Sequence, residues 1–150
     1  MSVLGVVVVP NGKHPQVHVA VLAGTLSSPV LVDAFHLRAT STGPSEQAVE
    51  LAQLLSAKLV SEMTAAAIRI AGTSPVARRL KAQFSRAHCE GAALFVLREH
   101  TGCEVGTVTP AGLAKSLGLK KDELDEVVVN LTSGKANTDA VLAGLTLLPI

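Results

Sequence analysis

The stretch that most constrains how this chain can fold is VLGVVVVPNG, residues 3–12. Val3–Val9 contains no polar side chain, and a short apolar run closed by a turn reads as a strand buried inside a sheet. The rest of the chain reads as layers packed against it. At 150 residues the chain is one domain by size, residues 1–150, enough to bury about two-thirds of its unfolded surface. Its aliphatic side chains are small, and it has three Phe, no Tyr and no Trp. A core of Val, Leu and Ala requires close backbone approach, so helix–sheet contacts lined by Ala and Gly are expected.

After Pro10-Asn11-Gly12 comes Gln16–Leu22, in which Val17, Val19 and Val21 alternate with His18, Ala20 and Leu22. Asn-Gly between two apolar runs is a hairpin signal. Val30–Leu37, after the turn Ser27-Ser28-Pro29, completes an antiparallel meander. His18 and His36 read as ordinary strand residues, with a ligand role as the other option. Beyond Thr42-Gly43-Pro44 the period changes. Ser45–Met63 carries Ala48, Leu51, Ala52, Leu55 and Leu59 on one stripe, with Pro44 and Glu46 as start signals, and predicts an amphipathic helix.

Ala65–Ala71 reads as a strand parallel to the first. Gly72-Thr73-Ser74-Pro75 opens a helix over Pro75–His100 that ends at Gly102. Val76, Leu80, Phe84, Ala87, Gly91 and Leu94 form its expected core stripe. Ala87, Gly91 and Ala92 supply the expected close-approach patch. Cys103–Val108 predicts a short strand, Ala111–Leu117 a small helix after Thr109-Pro110, and Lys120–Leu131 a helix whose VVVNL end also suits an extended form. Asn137 or Thr138 to Leu148 is the last helix, stopped by Pro149. The order βββ-α-β-α-β-α-α predicts an α/β fold. Its mixed sheet combines an antiparallel three-strand meander with parallel strands, the first strand is central, and helices cover both faces. That layout is the ribonuclease H-like architecture.

Composition excludes several classes. With 13 Lys and Arg against 12 acids, no whole-molecule field draws in nucleic acid or an acidic membrane. Cys89 and Cys103 suit two reduced, buried thiols in a cytoplasmic protein, with no CxxC and no zinc spacing. No basic segment followed by a cleavable apolar stretch opens the chain, and no apolar run of about 18 residues would span a membrane. There is no Gly-x-Ser-x-Gly elbow for a serine hydrolase. His88 and Glu90 flank Cys89 but point about 100° to either side of it on a helix, so they form no dyad with it.

The segment SRAHCEGAALFVLREHTGCEVGTVTPAGLAKSL, Ser85–Leu117, resembles bacterial Holliday-junction resolvases of the RuvC type. The similarity lies in the small-residue patch Gly91-Ala92-Ala93-Leu94, the Gly102 break, the following strand, and Thr109-Pro110 with Lys115 beyond it. VLGVVVVPNG, the meander, Ala65–Ala71 and the closing TDAVLAGL align in the same order, so the resemblance spans most of the chain. It implies a homodimer. It also implies four carboxylates at the C-terminal edge of the sheet that hold two divalent metals about 4 Å apart across a scissile phosphate.

Carried over residue by residue, those four positions fall at Val7, Arg69, about Ala136, and Asp139. No Asp or Glu occurs from Met1 to Val32, and Arg69 reverses the charge of the second acid. One carboxylate beside a guanidinium does not hold two Mg²⁺. Asp139 also suits the first turn of a helix, where the helix dipole favours an acid. Arg69 and Asp139 are expected to face each other within about 6 Å, filling the place of the metals.

Arg78, Arg79, Lys81 and Arg86 form the one basic concentration, readable as a phosphate-gripping strip or as a solvated helix face. Gly72–Pro75 reads as an anion-binding turn or, more simply, as a Ser74 cap ahead of Pro75. The expected function is a catalytically inactive RuvC-like binding or scaffolding module, a homodimer with DNA or RNA as its candidate ligand, no cofactor and no membrane association. The alternative is a divergent nuclease that recruits Glu90, Asp122, Asp125 or Glu126 to a displaced metal site. A nucleotide-binding relative of the same fold is disfavoured, because the first strand ends in Pro-Asn-Gly rather than in an acidic phosphate turn.

Overall fold

The computed structural model describes residues 1–10, 13–70, 80–109, 115, 117–132, 134 and 136–150. Along these residues run β1 (Ser2–Val9), β2 (Gln16–Thr25), β3 (Ser28–Arg38), α1 (Pro44–Lys58), β4 (Met63–Arg69), α2 (Leu80–Thr101), β5 (Gly106–Val108), α3 (Lys121–Thr132) and α4 (Thr138–Leu145). The strand order is β3-β2-β1-β4-β5. β1 pairs antiparallel with β2, as β2 does with β3, while β4 runs parallel to both β1 and β5. This is the mixed α/β sheet that the sequence predicts, with β1 at its centre.

The pleat of β1 divides the core. Leu4, Val6 and Val8 face one side, where Leu51 and Leu55 of α1 and Cys89, Ala93 and Leu97 of α2 cover them. Val7 faces the other, with Ala20 and Leu22 of β2, Val128 of α3, and Ala140, Val141 and Leu145 of α4. Period-2 alternation thus sends successive valines of one strand into two separate clusters.

Several boundaries differ from expectation. α1 stops at Lys58, because Leu59 is extended (φ −78°, ψ 137°) and a turn delivers Met63 into β4 beside Ser2. The β2–β3 hairpin turns on Leu26-Ser27, with Thr25 opposite Ser28. Ser28 and Pro29 therefore lie within β3, an edge strand where proline is tolerated. The strand expected at Cys103–Val108 is shortened to Gly106–Val108. Lys121–Thr132 is helical through its VVVNL end. Cys89 is buried as expected, whereas Cys103 is exposed on the loop after α2. Pro75–Arg79, most of Ala111–Leu117 and the Gly72–Pro75 turn fall outside the described residues.

The expected core stripe of α2 is rotated. Cys89, Ala93 and Leu97 are buried, whereas Phe84, Ala87 and Gly91 are exposed, and a Cβ built on Gly91 meets nothing within 4 Å. The helix is apolar on several sides, so a spacing of three to four fits more than one stripe. α2 ends where Gly102, at φ +68°, donates its N–H to Arg98 O, as left-handed caps do.

Close backbone approach occurs instead between β1 and α4. A Cβ on Gly144 would sit 2.7 Å from Leu22 Cδ1 and 3.2 Å from Gly5 N, and one on Gly5 would collide with the backbone of Ala140 and Gly144. On the opposite layer, Glu50 of α1 accepts hydrogen bonds of 2.7–3.0 Å from the hydroxyls and backbone N–H groups of Ser41 and Thr40. The Ser41 hydroxyl and these other donors hold its carboxyl down at about 2. The β3–α1 connection is thereby tied to the helix. Among the described residues no helix is long and apolar enough to cross a membrane.

Because the obstacle at Gly5 is main chain on both sides, Gly5→Ala is expected to cost about 3 kcal/mol or more. Urea denaturation of the two proteins measures it.

Candidate functional site

One row of residues crosses all five strands near the C-terminal end of β1. His36 of β3 lies opposite His18 of β2, His18 opposite Val7 of β1, Val7 beside Arg69 of β4, and Arg69 beside Val108 of β5. Partners in a ladder share a face. The row therefore lies on the side that α3 and α4 cover, where Val7 packs.

α4 enters over this row. Its cap is Asn137, whose Oδ1 accepts the N–H groups of Asp139 and Ala140 at 2.9 and 3.3 Å. Asx side chains suit this position because their oxygen satisfies first-turn donors that have no helical partner. With Asn137 as cap, Asp139 is free to turn sideways. Arg69 Nη1 lies 3.4 Å from Asp139 Oδ2, inside the limit expected from sequence. The separation exceeds that of a close charge-assisted hydrogen bond, so the attraction is mainly Coulombic. The side chains are 20% and 39% exposed, respectively.

Val7 is 2% exposed, and Ala136 packs against the same cluster from the α3–α4 connection. The four positions that the RuvC resemblance marks therefore gather at one place. A valine and an alanine offer no donor, and the one carboxylate is already paired with a guanidinium. Hard dications require several anionic oxygens, so these residues do not fit a two-metal centre.

The other candidates are dispersed. Glu90 is buried on α2, on the Leu4–Val6–Val8 side of the sheet, while Asp122, Asp125 and Glu126 are exposed on α3, on the Val7 side. The sheet stands between them. No group of three or more His, Cys, Asp or Glu placed to hold a metal occurs among the described residues. Arg86 is half-buried, and its Nε donates to Val8 O at 3.2 Å, tying α2 to the end of β1. Arg78 and Arg79 lie outside the described residues, as does the side chain of Lys81.

A hollow of about 330 Å³ opens beside the row, lined by His18, His36, Ala34, Phe35, Gly134 and Asn137 among others. The two imidazoles stack across the strands, with ring centres 5.4 Å apart and planes inclined by 22°. His18 Nε2 meets Gln16 Oε1 at 2.9 Å. Burial, aided by repulsion from His36, pushes the His18 pKa below its usual value. The pairing of these two histidines was not expected from sequence.

No family model matches the chain, and no curated protein does. Solved structures do. The Thermus thermophilus RuvC structure is 18% identical, with 97% of this chain and 92% of that chain covered at a TM-score of 0.69. T. thermophilus RuvC in complex with Holliday junction substrate is also 18% identical, with 97% and 91% covered and a TM-score of 0.73. The fold is RuvC-like. The likeness covers the meander, the parallel strands and the closing helix together, since nearly the whole chain superimposes on RuvC.

For a half-exposed pair at this separation, a double-mutant cycle of Arg69→Gln with Asp139→Asn is expected to give a coupling of about 0.5–1 kcal/mol. The coupling should shrink in 1 M salt, where charges are screened within about 3 Å. Chemical denaturation of the four proteins at two salt concentrations checks both points.

Proposed function

We propose that this chain is a single RuvC-like domain that binds nucleic acid, DNA or RNA, without cleaving it. The observation that carries the reading is the contact of Arg69 with Asp139 beside a buried Val7. In-line phosphodiester cleavage by two metals needs a dense set of anionic ligands at this spot. Here a cation, an aliphatic side chain and a methyl group stand in three of the four positions. Such a site disfavours dications and leaves the surrounding fold to serve recognition or scaffolding.

Support for nucleic acid comes from the likeness to a RuvC solved with its junction substrate and from the cluster Arg78, Arg79, Lys81 and Arg86. The tie from Arg86 to Val8 gives that residue a structural share. Electrophoretic shift and fluorescence anisotropy on four-way, duplex and single-stranded substrates test the reading, with Mg²⁺ or Mn²⁺ present. Binding that weakens steeply with salt, with intact substrate after incubation, is the expected outcome. Metal-dependent cleavage would establish the divergent-nuclease alternative instead. Absence of binding to any substrate would leave only a scaffolding role.

The module is further proposed to be a homodimer that pairs through α2. The chain has three Phe, and two of them, Phe84 and Phe95, stand 57% and 68% exposed on this helix. Eleven residues is close to three helical turns, so both rings and the exposed Gly91 between them share one face. A narrow glycine flanked by two large rings suits close packing of two helices. Sedimentation should show a dimer for the native chain and a monomer for Phe84→Asp/Phe95→Asp. A native monomer at tens of micromolar refutes the pairing.

A further inference from the structure

We propose that His18 and His36 form a two-imidazole site for a borderline transition dication, zinc, nickel or copper, held against the hollow beside α4 with water completing its coordination. The register places the two side chains directly opposite each other on adjacent antiparallel strands and on one face. Cβ atoms so placed are about 5 Å apart. A ring centre lies about 3.2 Å from a metal bound at its nitrogen, so two imidazoles at a tetrahedral angle set their centres about 5.2 Å apart. The observed separation is 5.4 Å. The near-parallel rings need only rotate about their terminal torsions, which are soft, to aim a nitrogen each at one shared point.

The surroundings complete the case. Gln16, two residues before His18 on the same face, offers Oε1 to His18 Nε2 at 2.9 Å. With that oxygen as acceptor the proton sits on Nε2 and Nδ1 is bare. Metal-binding histidines are commonly oriented in this way, by donating their other N–H to an oxygen. The 330 Å³ hollow leaves room for coordinated water. Arg38, two residues beyond His36 on the same side, is exposed, so solvent screens its charge. Imidazole selects zinc, nickel or copper over magnesium, which separates this site from any two-magnesium chemistry.

The test is calorimetric titration of tag-free protein with NiCl₂ or ZnCl₂, alongside His18→Ala, His36→Ala, Gln16→Leu and His88→Ala, with circular dichroism as a check on folding. One metal per chain is expected, unaffected by excess Mg²⁺. His18→Ala and His36→Ala should each abolish saturable binding. Gln16→Leu should weaken it about tenfold or more, and His88→Ala should leave it unchanged. His36 is exposed, so its variant remains informative even where His18→Ala disturbs the sheet. The proposal is overturned if native protein shows no saturable binding, or if binding persists in folded His36→Ala.

Discussion

The contact on which the site depends is the meeting of Gly5 with Gly144. A helix packed on a sheet through ordinary side chains stands off at a distance set by those side chains. Here the backbones themselves approach, since a Cβ on either glycine would strike main chain or Leu22. Seating α4 so low brings its first turn down onto the row that contains Val7 and Arg69. Asn137 caps the helix there, and Asp139 comes within reach of a guanidinium on β4. Wider residues at positions 5 and 144 would lift the helix and with it the carboxylate. The ion pair is therefore a consequence of packing two residues of no chemical function.

The same seating closes the floor of the site. Val7 is buried because Ala140 and Val141 lie across it. A carboxylate at that position would have to be desolvated under the helix, with the paired Arg69 as its nearest compensating charge. Removing a charge from water costs several kcal/mol unless it is paired and hydrogen-bonded. Val7→Asp alone would thus be drawn into the Arg69–Asp139 pair rather than toward a cation. Rebuilding an anionic centre requires changes at Val7, Arg69 and Ala136 together, which is why the three non-acidic residues read as one state of the site.

Much of the architecture was legible from the chain because it rests on local signals. The valine run of β1, the switch from period 2 to a helical period after Pro44, and the Gly102 break each mark an element that the structure contains. The RuvC-like layout follows from their order. Side-chain orientation on α2 was not legible, because a helix that is apolar on several sides satisfies more than one stripe. The structure buries Cys89, Ala93 and Leu97 and leaves Phe84 and Gly91 outside. Likewise the composition called for close glycine contacts without saying which glycines make them. Sequence context favours Gly91, yet open space surrounds it, whereas Gly5, which makes the contact, lies within the valine run.

The histidine pair shows a different limit. Around the Leu26-Ser27 turn a regular hairpin would oppose residues whose numbers sum to 53, as Thr25 and Ser28 do. That register sets His18 against Phe35. A shift between Val21 and Leu22 adds one residue to β3, and His18 meets His36 instead. A one-residue slip exchanges the faces of every side chain beyond it, so the bulge determines which β3 side chains join Val7 and Arg69 on the α4 side. Without it, Phe35 would stand opposite His18 in place of His36, and the two histidines would lose their common face. Bulges commonly re-aim side chains at functional places. This one leaves β1 and β4 carrying the Val7–Arg69 end of the row, while β2 and β3 supply a separate imidazole end beside it.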